Sequence, residues 1–185
     1  MAGKIVLGFV GLPCAGKGTA IDYLVKKHHF FYSSTSDEIR EELKKRNIEI
    51  TRENLQNLSG QLKGENGPDF WARKAWKKVV TSGSEKAVVD SIRAVPEVAF
   101  LKKQKNFYLI AVNASPEVRF QRMRGRNREG DPQVWEDFVK MEEKDKTGGG
   151  RNIDACLQMA DFTVENNGTI DVIGEQLEDI LSKVS

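Results

Sequence analysis

The chain has 185 residues, 39% hydrophobic and 30% charged, which suits one sizeable core and excludes a disordered chain. Lys plus Arg number 29 against 27 Asp plus Glu, and a formal charge of +2 excludes any argument for nucleic-acid or membrane binding from net charge alone. Two cysteines, Cys14 and Cys156, make no disulfide framework, and the first residues lack a signal-peptide cleavage pattern, so a reducing cytoplasm is the expected setting.

Taken in chain order, residues 4–10 form a short apolar, partly β-branched run that predicts a strand. The longest apolar stretch, 5–13, is about half the length of a membrane span and runs into a glycine turn, so it reads as buried sheet. Ile21, Leu24 and Val25 fall at helical spacing within 17–28. Residues 36–80 break the alternation, because 37–46, 52–63 and 69–80 read as helices with no strand between them. An insertion after the second strand, on the ligand side of the sheet, is the economical reading. Strand-like runs return at 87–90, 107–112 and 162–164. Helical spacing marks 96–103 and 170–184, and a further helix is expected to start near Ser115-Pro116-Glu117. Residues 125–132 read as a polar, arginine-rich loop and 146–150 as a flexible break. This order predicts an α/β domain: a mostly parallel sheet with helices on both faces and ligands beyond the carboxyl ends of its strands.

Gly11-Leu12-Pro13-Cys14-Ala15-Gly16-Lys17-Gly18-Thr19 joins the first strand to the first helix and satisfies the G-x-x-x-x-G-K part of the phosphate-loop signature. Such a loop wraps phosphate with backbone N–H groups, backed by the positive end of a helix. Gly11, Ala15, Gly16, Lys17, Gly18 and Thr19 are the expected ATP phosphate-binding residues, with Lys17 reaching the terminal phosphates as a catalytic charge. Gly18 stands where a magnesium-coordinating hydroxyl is usual and Thr19 comes one place later, so Mg2+ is expected to be held through water and a carboxylate.

The P-x-x-G-K-G-T ending resembles that of adenylate kinase and related P-loop nucleoside monophosphate kinases. Ser34-Thr35-Ser36-Asp37-Glu38-Ile39-Arg40 resembles the S-T-G-D-x-x-R that opens the acceptor-nucleotide domain of that family, with Ser36 in place of glycine. The resemblance implies that Thr35, Asp37 and Arg40 serve the acceptor; a helix start capped by Ser36 or Asp37 explains the same residues without function. Asp90-Ser91-Ile92-Arg93 looks like the family's D-G-F-P-R shortened by one residue. By that likeness Asp90 meets magnesium through water and Arg93 grips the acceptor phosphate, whereas a plain helix cap is the simpler alternative for Asp90.

Arg119, Arg122, Arg124, Arg126 and Arg128 cluster within ten residues, with Arg119, Arg122 and Arg126 on one helical face. Fixed guanidinium groups neutralise the charge of a transferring phosphoryl group without solvent reorganisation. Arg122-Met123-Arg124-Gly125-Arg126 is similar to the family's R-x-x-G-R, which implies catalytic roles for Arg122, Arg126 and Arg128 and a short lid over 124–133. A solvated face or a nucleic-acid patch would show the same residues.

Residues 65–73 resemble a segment of deoxynucleoside monophosphate kinases and archaeal adenylate kinase-related proteins, so Phe70, Trp71 or Arg73 could line a base pocket. Trp71 and Trp76 could equally well pack the inserted helices. Residues 160–169 resemble the last strand and turn shared with dephospho-coenzyme A kinase; there Asn167 and Gly168 either border the donor adenine or form a turn before a helix capped by Thr169. His28-His29 reads as a helix C-terminus, and Cys14 as a small loop residue near positive potential, which can lower a thiol pKa. The combined expectation is an ATP- and Mg2+-dependent kinase acting on a nucleoside or deoxynucleoside monophosphate, without nucleic acid or membrane, as a monomer or weak homo-oligomer; a dephospho-coenzyme A kinase-like enzyme and a nucleotide-dependent binding protein or regulatory ATPase are the alternatives.

Overall fold

The computed structural model describes residues 4–126, 128, 130–147, 152–168 and 170–184. A strand with no polar face must be covered on both sides, and all six residues of β1 (Ile5–Val10) are buried. Around it stand β2 (Phe31–Ser34), β3 (Lys86–Asp90), β4 (Phe107–Asn113) and β5 (Phe162–Glu165), in the spatial order β2-β3-β1-β4-β5, each pair parallel. Alternation along β1 splits the core. Ile5, Leu7 and Phe9 join one cluster with Ala20, Leu24, Ile173 and Leu177, which come from α1 (Lys17–His28) and α9 (Ile170–Val184). Val6 and Val10 join the other, with Ala72 and Val79 of α4 (Phe70–Thr81), Val98 and Leu101 of α5 (Val95–Lys102) and Ile153 and Cys156 of α8 (Ile153–Gln158).

The insertion has its own small core. Leu43 of α2 (Thr35–Lys45), Leu58 and Leu62 of α3 (Arg52–Asn66), and Trp71 of α4 are all buried together. Thr51 caps α3 by accepting from the backbone N–H of Asn54 at 3.1 Å. Trp71 has no exposed surface, and Phe70 packs edge-on against it at 4.9 Å between centroids.

Several expectations need correction. The helix at the S-T-S-D segment begins at Thr35, straight after β2, so neither Ser36 nor Asp37 is its cap; both lie in its first turn. The run Phe31-Tyr32-Ser33-Ser34 is the edge strand, although two serines weaken its strand signal. After α6 (Pro116–Arg126), the chain forms α7 (Trp135–Thr147) and α8, two helices that the residue pattern leaves unassigned. Lys146 and Thr147 are helical rather than part of a break. Gly148, Gly149 and Gly150 of that break, Glu129 of the lid and the Thr169 cap lie outside the described residues. Among the described residues no helix is long and apolar enough to cross a membrane.

His28 ends α1 and His29 follows with φ 57°, as a helix C-terminus requires. Glu178 ties α9 to this end, accepting from Lys27 Nζ (2.7 Å), Tyr23 Oη (2.7 Å) and His28 Nε2 (2.9 Å). Lys27, Tyr23 and His28 hold its carboxyl down to about 2. A depressed carboxyl pKa stabilises the fold above the unfolded value of about 4.3 and loses that contribution as pH falls through the folded value. Glu178→Gln should therefore flatten the loss of stability between about pH 4.3 and 2, by less than about 1 kcal/mol because the cluster is exposed. An unchanged acid profile in scanning calorimetry would dismiss the tie.

Candidate active site

The carboxyl ends of β1, β3, β4 and β5 converge where α1 begins. Ala15 N–H donates to Leu12 O at 3.2 Å and Gly16 takes φ 98°, turning the chain into the helix. A Cβ at Gly16 would collide with the Asn166 side chain, whereas one at Gly18 would meet open space. Lys17 folds back over the loop and donates from Nζ to Gly11 O at 2.7 Å and Leu12 O at 3.2 Å. Burial pushes its ammonium down to about 8, with Asp90 opposing that shift.

Cys14 also lies in this loop, at φ 60°. Burial raises its thiol pKa and outweighs the lowering by Arg126, Lys17 and Arg128, which agrees with its reading as a small loop residue rather than an activated thiol. Asp90 ends β3. Its Oδ2 accepts from Ser91 Oγ at 3.2 Å, while Oδ1 is buried with no hydrogen-bond partner. Ser91 has φ 64°, a left-handed conformation at the position where the D-G-F-P-R pattern has glycine.

One cavity of about 670 Å³ runs from the phosphate loop to the inserted helices. Lys17, Arg40, Arg52, Arg93 and Arg126 all line it, together with Trp71 and Ser59 of the insertion, and Arg93 lies near enough to Lys17 to act on its charge. Arg93 has a fixed backbone: its N–H donates to Glu97 Oε2 at 3.0 Å, and its carbonyl accepts from Asn152 N–H at 3.0 Å. Arg40 donates to Asp37 at 2.8 Å. Thr35 is buried and its hydroxyl is spent on Ser91 O at 2.7 Å, which ties the end of β2 to the end of β3. Neither Thr35 nor Asp37 lines the cavity, so their nearest roles are holding Ser91 and Arg40.

The arginine cluster divides by environment. Arg119 is buried and structural: Nε donates to Ala114 O at 3.0 Å and the guanidinium pairs with Glu142 of α7. Arg122 turns to the loop, its Nη2 donating to Asn166 Oδ1 at 3.0 Å and its Nη1 lying 3.5 Å from the Cys14 and Ala15 carbonyls. Arg124 lies over the Phe120 ring, 5.7 Å from its centroid. Arg126 is held in a two-point pair with Asp131, Nε to Oδ2 at 2.6 Å and Nη2 to Oδ1 at 2.7 Å. Arg128 is exposed.

A family model described as an AAA domain matches residues 10–139. A UPF0200 protein of Methanocaldococcus jannaschii is 35% identical over 182 residues, covering 97% of this chain and 90% of that protein. This chain belongs to the UPF0200 family and carries its AAA domain. A second UPF0200 protein, from Thermococcus kodakarensis, is 32% identical, over 94% of this chain and 95% of its own.

Among solved structures, shikimate kinase from Acinetobacter baumannii in complex with shikimate superposes on this UPF0200 protein with a TM-score of 0.60 at 20% identity, over 97% of this chain and 94% of that one. Shikimate kinase from Bacteroides thetaiotaomicron gives 0.58 at 13% identity, over 96% and 98%. The fold is that of P-loop kinases.

Four residues of this UPF0200 site escape the residue-type reading. Asn166, buried, donates from Nδ2 to Ala15 O at 2.7 Å. Glu97, also buried, pairs with Lys63 at 2.7 Å across the cavity, and Asp131 occupies the Arg126 fork. Glu97 has a faint signal, four residues after Arg93 on the next helix, and Asn166 has one in standing beside the Asn-Gly turn. Asn167, by contrast, accepts from the Ser115 N–H at 2.7 Å, which makes it a structural brace for the start of α6.

Asp90, at the carboxyl end of β3, keeps a buried Oδ1 without a hydrogen-bond partner and lies near enough to Lys17 to act on its charge, and a magnesium ion brought with a nucleotide would rest on this carboxylate through water.

Proposed function

We propose that this protein transfers the γ-phosphate of ATP to a nucleoside or deoxynucleoside monophosphate. The observation that carries the reading is one cavity lined both by Lys17 and the phosphate loop and by Arg40 and Arg93. Two anions admitted there together would face each other for in-line transfer, with little need for a general base. ATP would supply the phosphoryl group, and its magnesium would screen charge on the phosphates. Lys17 and Arg122 would hold the donor phosphates, Arg40 and Arg93 the acceptor phosphate, and Arg126 the group in transit. A coupled ADP-release assay over the nucleoside monophosphates, their deoxy forms, dephospho-coenzyme A and shikimate tests this. Turnover with dephospho-coenzyme A or shikimate alone would replace the acceptor class; hydrolysis indifferent to every acceptor would make the protein a nucleotide-dependent ATPase.

Arg126 also yields a quantitative expectation. Lysine keeps its charge but loses the planar fork that now grips both Asp131 oxygens. Arg126→Lys should lower kcat at least about tenfold, or about 1.4 kcal/mol, with little change in KM for ATP. Single-turnover kinetics should locate the loss in the transfer step; an untouched kcat would mark the lid arginines as surface.

A further inference from the structure

We infer that Asn166 is a positioning residue that locks Arg122 to the phosphate loop, so that the arginine is aimed before substrate arrives. The inference rests on the reading of the loop as the ATP site and adds a residue to it. Asn166 follows β5 directly, and its N–H donates to Asn113 O at 2.7 Å, which extends the sheet by one rung toward the loop. Its side chain is 3% exposed, so its polar atoms must find protein partners. Each finds one. Nδ2 donates to Ala15 O at 2.7 Å and Oδ1 accepts from Arg122 Nη2 at 3.0 Å.

Only one orientation of the amide satisfies both neighbours. Reversed, the amide oxygen would face the Ala15 carbonyl and the NH2 group would face the guanidinium, leaving two like poles opposed on each side. Asn166 therefore acts as an adaptor between an acceptor on the loop and a donor on α6, and aspartate or leucine could not fill both roles. Gly16 completes the fit, since any side chain there would run into this amide. An arginine fixed on one edge keeps its remaining N–H groups in a constant direction. Less reorganisation is then needed when charge develops on the phosphoryl oxygens.

A double-mutant cycle tests the link. Asn166→Ala should lower kcat at least tenfold with less than threefold change in KM for ATP. Arg122→Ala should lower it further, and Arg122→Ala/Asn166→Ala should be no more than about threefold worse than Arg122→Ala alone, because residues acting as a unit are not additive. Asn166→Asp keeps the volume and the Arg122 contact but turns the Ala15 contact repulsive, so it should raise KM for ATP. Fully multiplicative losses in the cycle would overturn the inference. So would unfolding of the isosteric Asn166→Asp, which would make the residue a determinant of folding. If wild-type protein transfers phosphate to no acceptor, the kinase reading fails; with an active wild type, an additive cycle or an unfolded Asn166→Asp overturns the inference alone.

Discussion

Lys17→Ala is expected to cut phosphoryl transfer on the order of 10³-fold, about 4 kcal/mol, while leaving the melting temperature of the nucleotide-free protein unchanged or higher. The two effects share one cause. In the loop the ammonium is crowded by protein and its pKa falls from 10.5 to about 8, so the folded chain holds this charge less readily than the unfolded one. That difference disfavours the folded state on the order of 3 kcal/mol below pH 8, offset in part by the bonds to Gly11 and Leu12. Between pH 8 and 10.5 the unfolded chain binds more protons at this site, so its contribution to stability rises with pH. ATP phosphates would restore the proton, and calorimetry in buffers of different ionisation heat should show uptake of about half a proton on binding at pH 8. Transfer near the wild-type rate in Lys17→Ala would remove the loop from catalysis. Absence of proton uptake would remove Lys17 from the phosphates.

Arg93→Ala and Arg40→Ala should each weaken nucleoside monophosphate binding by about 1.5–3 kcal/mol, with much less effect on ATP. Arg93 projects from a backbone pinned by Glu97 and Asn152, so its side chain starts from a fixed point. Arg40 is paired with Asp37 at 2.8 Å, and a phosphate must exchange with that carboxylate. Titration calorimetry with both nucleotides on both variants measures the losses. Equal losses for donor and acceptor would contradict the assignment of these arginines to the acceptor.

Much of this layout is legible in residue order. The loop from Gly11 to Thr19 carries its chemistry in its spacing, and α1 and α9 carry it in apolar periodicity, so neighbours along the chain suffice to read them. The cavity is different. Arg126 belongs to the lid in either reading, but the Asp131 that holds it is brought round by the turn through Gly130, at φ 80°. Lys63 and Glu97 meet across the gap between the insertion and the sheet, a distance that composition does not encode. Asn166 sits 151 residues from Ala15 in the chain, and only the closing of β5 against β4 makes them partners. Short elements hide for another reason: α8 has six residues, too few for a period to show, and β2, expected ahead of the insertion, has only four to mark its bounds.

The raised pKa of Cys14 bears on the endurance of this loop. A thiol three residues before the lysine would be a hazard if it were ionised, because thiolates are the form that peroxides and electrophiles attack. Crowding by neighbouring atoms keeps this sulfur protonated, despite the guanidinium and ammonium groups around it. Burial thus acts on both groups in the direction of neutrality, making Lys17 reluctant to hold its proton and the Cys14 thiol reluctant to lose one.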